Sequence, residues 1–524
     1  MKKLYLFDST LRDGAQGENV NFSVMDKVNI VKALDDLGVS YIEAGNPFSN
    51  PKDVEFFEKV ADLELKSAQI VAFGSTRRVG VDVRQDKSVE VMAKINVKTV
   101  AIFGKSWDLH ATEVLHTTLE ENIAMITDTI KYLKDNGKDV FFYAEHFFDG
   151  CKNNPEYAFE VLQAAQNAGA SYAILCDTNG GCFPFEIESW TKKAVNALSI
   201  PVGIHCHNDT DCAVANTIAG VMAGAEQIHG TFIGIGERCG NTCLATLIPN
   251  LQIKLGYDLI PEENLKKLTI CARYISDISN ITLEDNLPYV GKSAFAHKGG
   301  MHIDGVTKLP KSFEHICPEQ VGNQRQFLLS EVSGKSAVLQ KLKNFAPQIT
   351  KESPELVEIL AMLKEQEQKG YQYEAASASF ELLVRKFLGD FKPYFSIEYF
   401  KIISEPVDTA NTPGSGLIKL KVGDQYKIAA DEGNGPVNAI DKALRAALVE
   451  FYPDLEGFRL IDYKVRVVDT TSATAAAVRV LVESTDGTDV WTTVGSSTDI
   501  INASVMALVD SIEYKLLKSG CKPY

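Results

Sequence analysis

Residues Leu4 to Gly38 read LYLFDSTLRDGAQGENVNFSVMDKVNIVKALDDLG. The stretch opens on an apolar run, Leu4–Phe7, of the length of a strand buried on both faces. It closes on Phe22–Gly38, where apolar residues recur at helical spacing and stop at a glycine. Between them lies a polar exit with Arg12, Asp13 and Gln16. The same order recurs down the chain, with apolar runs at Val39–Gly45, Ala68–Ser75, Thr99–Ser106, Asp139–His146, Ala170–Asp177, Ile200–His207 and Ala225–Gly234. Longer amphipathic segments such as Asn154–Ala170 separate them. Strand then helix, eight times over about 255 residues, is the count and size of a (β/α)8 TIM barrel; a doubly wound open sheet is the competing arrangement. The polar residues at the ends of the runs favour the barrel. They are Arg12 and Asp13, Glu43, Arg77, Lys105, Glu145, Asp177 and Thr178, His205 and His207, then Asn241. In a barrel these ends converge on one mouth, where active sites of that architecture sit.

The composition narrows the class. At 524 residues the chain exceeds one ordinary core, and about two to four domains are expected. With 45% hydrophobic and 23% charged residues it reads as a globular protein with a sizeable core. A net charge of −16 and the lack of a basic run argue against a nucleic-acid partner, since phosphate backbones are met by clustered Lys and Arg. The apolar N-terminal run meets a charge at Asp8, too early for a signal segment, and no apolar run reaches about 18 residues, so no membrane partner is expected. Ten cysteines without a CxxC pair fit reduced thiols, and a cytoplasmic location is expected.

The sharpest local pattern is Gly203–Asp209, GIHCHND. His205 and His207 are two apart on a strand, so both imidazoles share a face and can bind one cation. A hydrogen-bonded pair at a strand end is the plainer reading. Asp13 can add a carboxylate oxygen and Asn241 an amide oxygen, a mixed N/O set suited to Zn, Mn, Mg or Co. Arg12 beside that acid is placed to stabilise a carbonyl oxygen gaining negative charge, or else to form a salt bridge with Asp13 or Glu145. Thr178 offers a hydroxyl to a substrate carboxylate, or caps a helix. Tyr143 and Glu145 alternate onto one face of the fifth run, the acid to hold or relay a proton and the phenol to narrow the pocket. Glu43 and Asp177 are equally structural ion-pair members. Cys239 is a weak nucleophile candidate, since a lone cysteine is usually only packed, and the glycine-rich Gly234–Asn241 resembles a phosphate loop but lacks its Lys-Ser/Thr ending.

Taken together, TLRDGAQG (Thr10–Gly17), YAEHFFDG (Tyr143–Gly150), HCHND (His205–Asp209), GIGERCGN (Gly234–Asn241) and SAFAHKGGMH (Ser293–His302) resemble the 2-isopropylmalate, homocitrate and citramalate synthases, barrel enzymes of the DRE-TIM metallolyase group. The resemblance spans essentially the whole chain and is strongest to the citramalate-forming branch. Ala15 supports that branch, because members that make isopropylmalate commonly carry Glu there. The resemblance implies acetyl-CoA, pyruvate and water as substrates, giving citramalate and CoA on a route to isoleucine. It implies Asp13, His205 and His207 as ligands of a divalent ion with Asn241 nearby. It implies Arg12 at the keto group, Thr178 at the pyruvate carboxylate, and Glu145 and His302 handling protons. His302 sits among Gly299, Gly300 and Gly305, read as a flexible loop, and family members bring this segment to a neighbouring barrel, so a homodimer is expected. Phe313 stands where relatives often place a tyrosine. The alternatives are a 2-isopropylmalate synthase acting on a branched 2-oxo acid, a lyase running the reverse cleavage, and a catalytically silent amino-acid sensor.

The barrel is expected over residues 1–255 and a helical linker carrying the lid over 256–395. A C-terminal α+β domain is expected over 396–524. In that last part, Gly433–Leu448 and Ser496–Ile512 align Asn438 with Asn502, Ala439 with Ala503, Ala443 with Ala507 and Leu444 with Leu508, each after strand-like runs. An internal repeat is the reading, against chance matching of amphipathic helices. The resemblance makes this domain regulatory, with isoleucine as effector. Gly433, Gly435 and Gly495 are expected to leave room for a ligand backbone.

Overall fold

The computed structural model describes residues 2–61, 63–328, 335–404, 414–468 and 476–523. Ala475, the first residue of the last expected strand-like run, lies outside them. The chain divides into two compact units, Met1–Phe295 with Ile316–Arg325, and Ala296–His315 with Gln326–Tyr524.

The first unit is a closed parallel barrel: β1 Tyr5–Asp8, β2 Tyr41–Glu43, β3 Gln69–Ser75, β4 Thr99–Lys105, β5 Asp139–Glu145, β6 Tyr172–Asp177, β7 Val202–Cys206 and β8 Gln227–Gly230. Closure is explicit in the register, where Tyr5 to Asp8 pair with Gln227 to Gly230. An open doubly wound sheet has no such pairing. The first helix, Val24–Leu37, is set by local chemistry. Ser23 and Asp26 form a reciprocal capping box, and Gly38 ends the helix at φ +104°, a conformation that disfavours a side chain. Phe7, Val71, Ala101, Phe141, Tyr143, Ile174 and Cys176 fill the barrel interior. A larger apolar layer, including Leu6, Ile42, Phe142, Leu175 and Ile204, joins strands to helices. Strands covered on both faces explain why the sequence shows short apolar runs rather than alternation.

The second unit begins with a parallel pair, β9 Ala296–His297 and β10 Gln326–Phe327. Helices Gly300–Lys308, Pro354–Gln368 and Ser377–Leu388 follow around a core that includes Ile303, Ile359 and Phe380. Two antiparallel sheets complete it: β11 Ser396–Ser404, β12 Gly414–Val422 and β13 Gln425–Gly433, then β14 Arg459–Val467, β15 Val478–Thr485 and β16 Val490–Ser497. Each sheet is followed by a helix, Pro436–Leu448 and Ile500–Lys518, and Leu444 and Leu508 enter one common core with Ile418 and Val480.

The small residues of this unit have a different use from the one expected. A Cβ on Gly433 would stand 2.5 Å from the Ala439 amide nitrogen, and one on Gly495 would stand 2.0 Å from the Ala503 carbonyl oxygen. The space at both is taken by the chain's own helices, which the missing side chains allow to lie close on the sheets. Of the three expected positions, Gly435 alone has no neighbour within 4 Å of such a Cβ. The expected loop around His302 is likewise a helix, Gly300–Lys308, because Ile303 and Val306 bury one of its faces.

Candidate metal centre at the barrel mouth

At the carboxyl end of β1 the chain turns sharply. The amides of Arg12, Asp13 and Gly14 all donate to the Ser9 carbonyl, which folds Arg12 and Asp13 back over the barrel. Asp13, His205 and His207 are all buried, and their ligand atoms lie within 4.8 Å of one another. His205 Nε2 and His207 Nε2 are 3.3 Å apart. Asp13 Oδ2 stands 3.3 Å from the first and 3.9 Å from the second. Ligands about 2.1 Å from one ion lie about 3.0–3.4 Å apart at octahedral or tetrahedral angles; two sides of the triangle match a divalent cation on that measure, and the 3.9 Å side between His207 and Asp13 corresponds to a wider angle. Asn241 faces His207 through an isolated antiparallel bridge, and its buried side-chain oxygen and nitrogen have no partner among the described residues.

The electrostatics suit that use. Burial alone would raise the Asp13 carboxyl, but the Arg12 guanidinium and the two imidazoles hold it well below the usual carboxylate range. Burial, with His205 beside it, pushes His207 down to about 4, which keeps the ring in the neutral form that binds metals.

Arg12 forms its salt bridges with Asp13 (3.2 Å) and Glu43 (2.6 Å), and its guanidinium lies over the Phe73 ring at 4.0 Å. Glu145, the other expected partner, is taken by Lys105. Glu43 is therefore the residue that orients Arg12; it is fully buried and also accepts from Tyr143 Oη at 2.9 Å. Thr178 Oγ1 accepts from the His146 amide at 2.9 Å and keeps its own O–H to donate. Arg77 does not join the site, because it turns to Glu121 and Asp128 on the helix Leu119–Asp135. Asp177 accepts from the Cys182 amide and shapes its loop. Cys239 is exposed. His302 belongs to the second unit, exposed on its helix, with its ring stacked on Phe313 at 4.4 Å.

Two residues escaped the reading of the sequence. Arg238, at φ +56°, holds Asp209 with two hydrogen bonds of 2.8 and 2.9 Å and donates to the Thr178 carbonyl at 2.8 Å, tying three loops of the mouth together. His229 lies inside the barrel on β8. The polar alternation Gln227, His229 within an apolar strand was its signal.

A family model described as HMGL-like matches residues 3–275. One described as homocitrate synthase post-HMGL domain-like matches 289–370, and a LeuA allosteric (dimerisation) domain matches 374–516. An (R)-citramalate synthase of Aquifex aeolicus is 51% identical over 519 residues, 99% of this chain and 98% of that one. Its counterpart in Synechocystis is 48% identical over 530 residues, 99% and 97% of the two chains. A probable 2-isopropylmalate synthase of Methanopyrus kandleri is 32% identical over 510 residues, 97% and 98% of the two. With its closed barrel and the His–His–Asp triangle at the mouth, the chain belongs to the HMGL-like family, within its (R)-citramalate synthase group.

Proposed function

We propose that the chain condenses acetyl-CoA with pyruvate and hydrolyses the resulting thioester, releasing citramalate and CoA. The observation that carries this reading is the buried triangle beside Arg12 in a chain that matches (R)-citramalate synthases from end to end. Asp13, His205, His207 and Asn241 would hold a divalent ion, which when bound would supply Lewis-acid polarisation of the 2-oxo acid. Arg12, fixed by Glu43, places its guanidinium where the keto oxygen gains negative charge as the new carbon–carbon bond forms. Thr178 donates its hydroxyl to the pyruvate carboxylate. Glu145, paired with Lys105, takes a methyl proton from the acetyl group, and His302 returns a proton during thioester hydrolysis. Tyr143, with Phe73 at a ring distance of 5.9 Å, limits the pocket to a small 2-oxo acid.

Free-thiol release with pyruvate and with 2-oxoisovalerate, side by side, tests this reading. Faster turnover of pyruvate is expected, whereas preference for the branched acid would make the chain a 2-isopropylmalate synthase. One alkyl group discriminates by only about 1–3 kcal/mol, so the comparison has to be quantitative. A silent sensor would release no thiol with either. The reading extends to a place in isoleucine formation, isoleucine as effector of the region matched by the LeuA allosteric (dimerisation) domain, and a homodimer. It places the chain in the cytoplasm, which accords with ten unpaired cysteines. None of the helices among the described residues is long and apolar enough to cross a membrane.

A further inference from the structure

We propose that His229 is a positioning residue for the condensation: it fixes the Tyr143 phenol, through it Glu43, and through Glu43 the guanidinium of Arg12. This inference rests on the role given to Arg12 above. His229 is fully buried, and its ring stacks on Phe7 with centroids 4.0 Å apart and planes 9° from parallel. Its Nδ1 stands 3.2 Å from Tyr143 Oη on β5. Tyr143 Oη donates to Glu43 Oε1 on β2 at 2.9 Å, and Arg12 Nε donates to Glu43 Oε2 at 2.6 Å. Arg12 in turn reaches Asp13 at 3.2 Å. One line of polar contacts thus runs from the barrel interior to the metal triangle.

Proton counting gives the line its direction. Tyr143 has one hydroxyl proton, and it goes to Glu43, so the contact with His229 requires a proton on Nδ1. With the ring proton on Nδ1, the neutral tautomer leaves Nε2 as the acceptor. The Gln227 carboxamide lies 2.9 Å from that nitrogen, and its two ends are interchangeable by a half turn. After that turn its NH2 donates to Nε2, and its oxygen takes the buried position that has no partner among the described residues. Packing alone does not ask for a histidine here, since the neighbouring Phe7, Tyr143 and His205 rings would accept a phenylalanine, which brings no polar atoms to desolvate. The face of the Arg12 guanidinium is set by Phe73, so its rotation within that plane depends on Glu43 and Asp13.

Two substitutions separate the bond from the packing. His229→Phe keeps the volume and loses the bond to Tyr143, whereas His229→Asn keeps an amide N–H at the Nδ1 position and loses volume. In the metal-loaded full chain, His229→Phe should lower kcat/KM for pyruvate about tenfold, the scale of one buried hydrogen bond, with KM for acetyl-CoA unchanged. His229→Asn should recover to within about threefold of the parent despite lower thermal stability. In a Tyr143→Phe background, His229→Phe should bring no further loss. Unchanged kcat/KM in His229→Phe, or the same loss added on top of Tyr143→Phe, would overturn the proposal. Ring nitrogen NMR provides a readout independent of turnover, because Tyr143→Phe should shift the His229 Nδ1 resonance. If the parent releases no thiol with pyruvate, the functional reading fails and that resonance alone decides: a shift upholds the relay and an unmoved signal overturns it.

Discussion

At the scale of single residues, the site is held by charges that cannot be removed singly without leaving another buried and unpaired. Arg12→Gln takes the cation from both Asp13 and Glu43. A loss of about 10²–10³ in kcat is expected, as for removal of one oxyanion donor, and steady-state thiol release measures it. A second group responds to pH rather than to substrate. Burial pushes the Asp8 carboxyl from an ordinary 3.8 up to about 7, against the hydrogen bonds it receives from Thr10. Between those values the folded chain keeps a proton that the unfolded chain has released. The associated stability is fully present below about pH 4 and is lost as pH rises through 7, by a few kcal/mol on the order of 1.4 per unit. Asp8→Asn imitates the protonated acid, so variant and parent should unfold together at pH 4 and diverge in the variant's favour at pH 8. Parallel denaturation curves at the two pH values would contradict this.

At the scale of elements, the eight strands were legible because each is buried on both faces and reads as a short apolar run between helical periodicities. The mouth was partly legible, since a barrel must bring strand ends together whatever their spacing in sequence. Arg12, Asp13, His205, His207 and Asn241 were found that way. Arg77 shows the limit: a polar residue at a strand end can turn outward to its own helix, as it does to Glu121. Glu43 was undervalued and His229 missed because their partners lie across the barrel, at separations of 31 to 100 residues that local spacing does not encode. The helix around His302 was hidden by its glycines, which lower helix propensity, while burial of Ile303 and Val306 overrides that preference. The glycines of the C-terminal sheets yield a matched pair of tests. Gly495→Ala forces a methyl group against the Ala503 carbonyl and should destabilise by about 1–3 kcal/mol. Gly435→Ala meets open space and should change stability by less than about 0.5 kcal/mol in chemical denaturation.

At the scale of the whole molecule, a catalytic barrel is joined to a region matched by an allosteric and dimerisation domain, and the proposed function joins them by feedback. Saturating isoleucine should change turnover or raise the thermal midpoint, and absence of both effects would remove isoleucine as the ligand. The proposed catalysis depends on a single cation shared by the first and seventh strands. The most direct measurement is thiol release from acetyl-CoA and pyruvate by chelator-stripped protein, before and after Mn, Co, Zn or Mg is added back, with His207→Ala alongside. Turnover that vanishes on stripping, returns with a divalent ion in the parent and never returns in the variant is the predicted result; full activity in stripped protein, or in His207→Ala, would contradict the account.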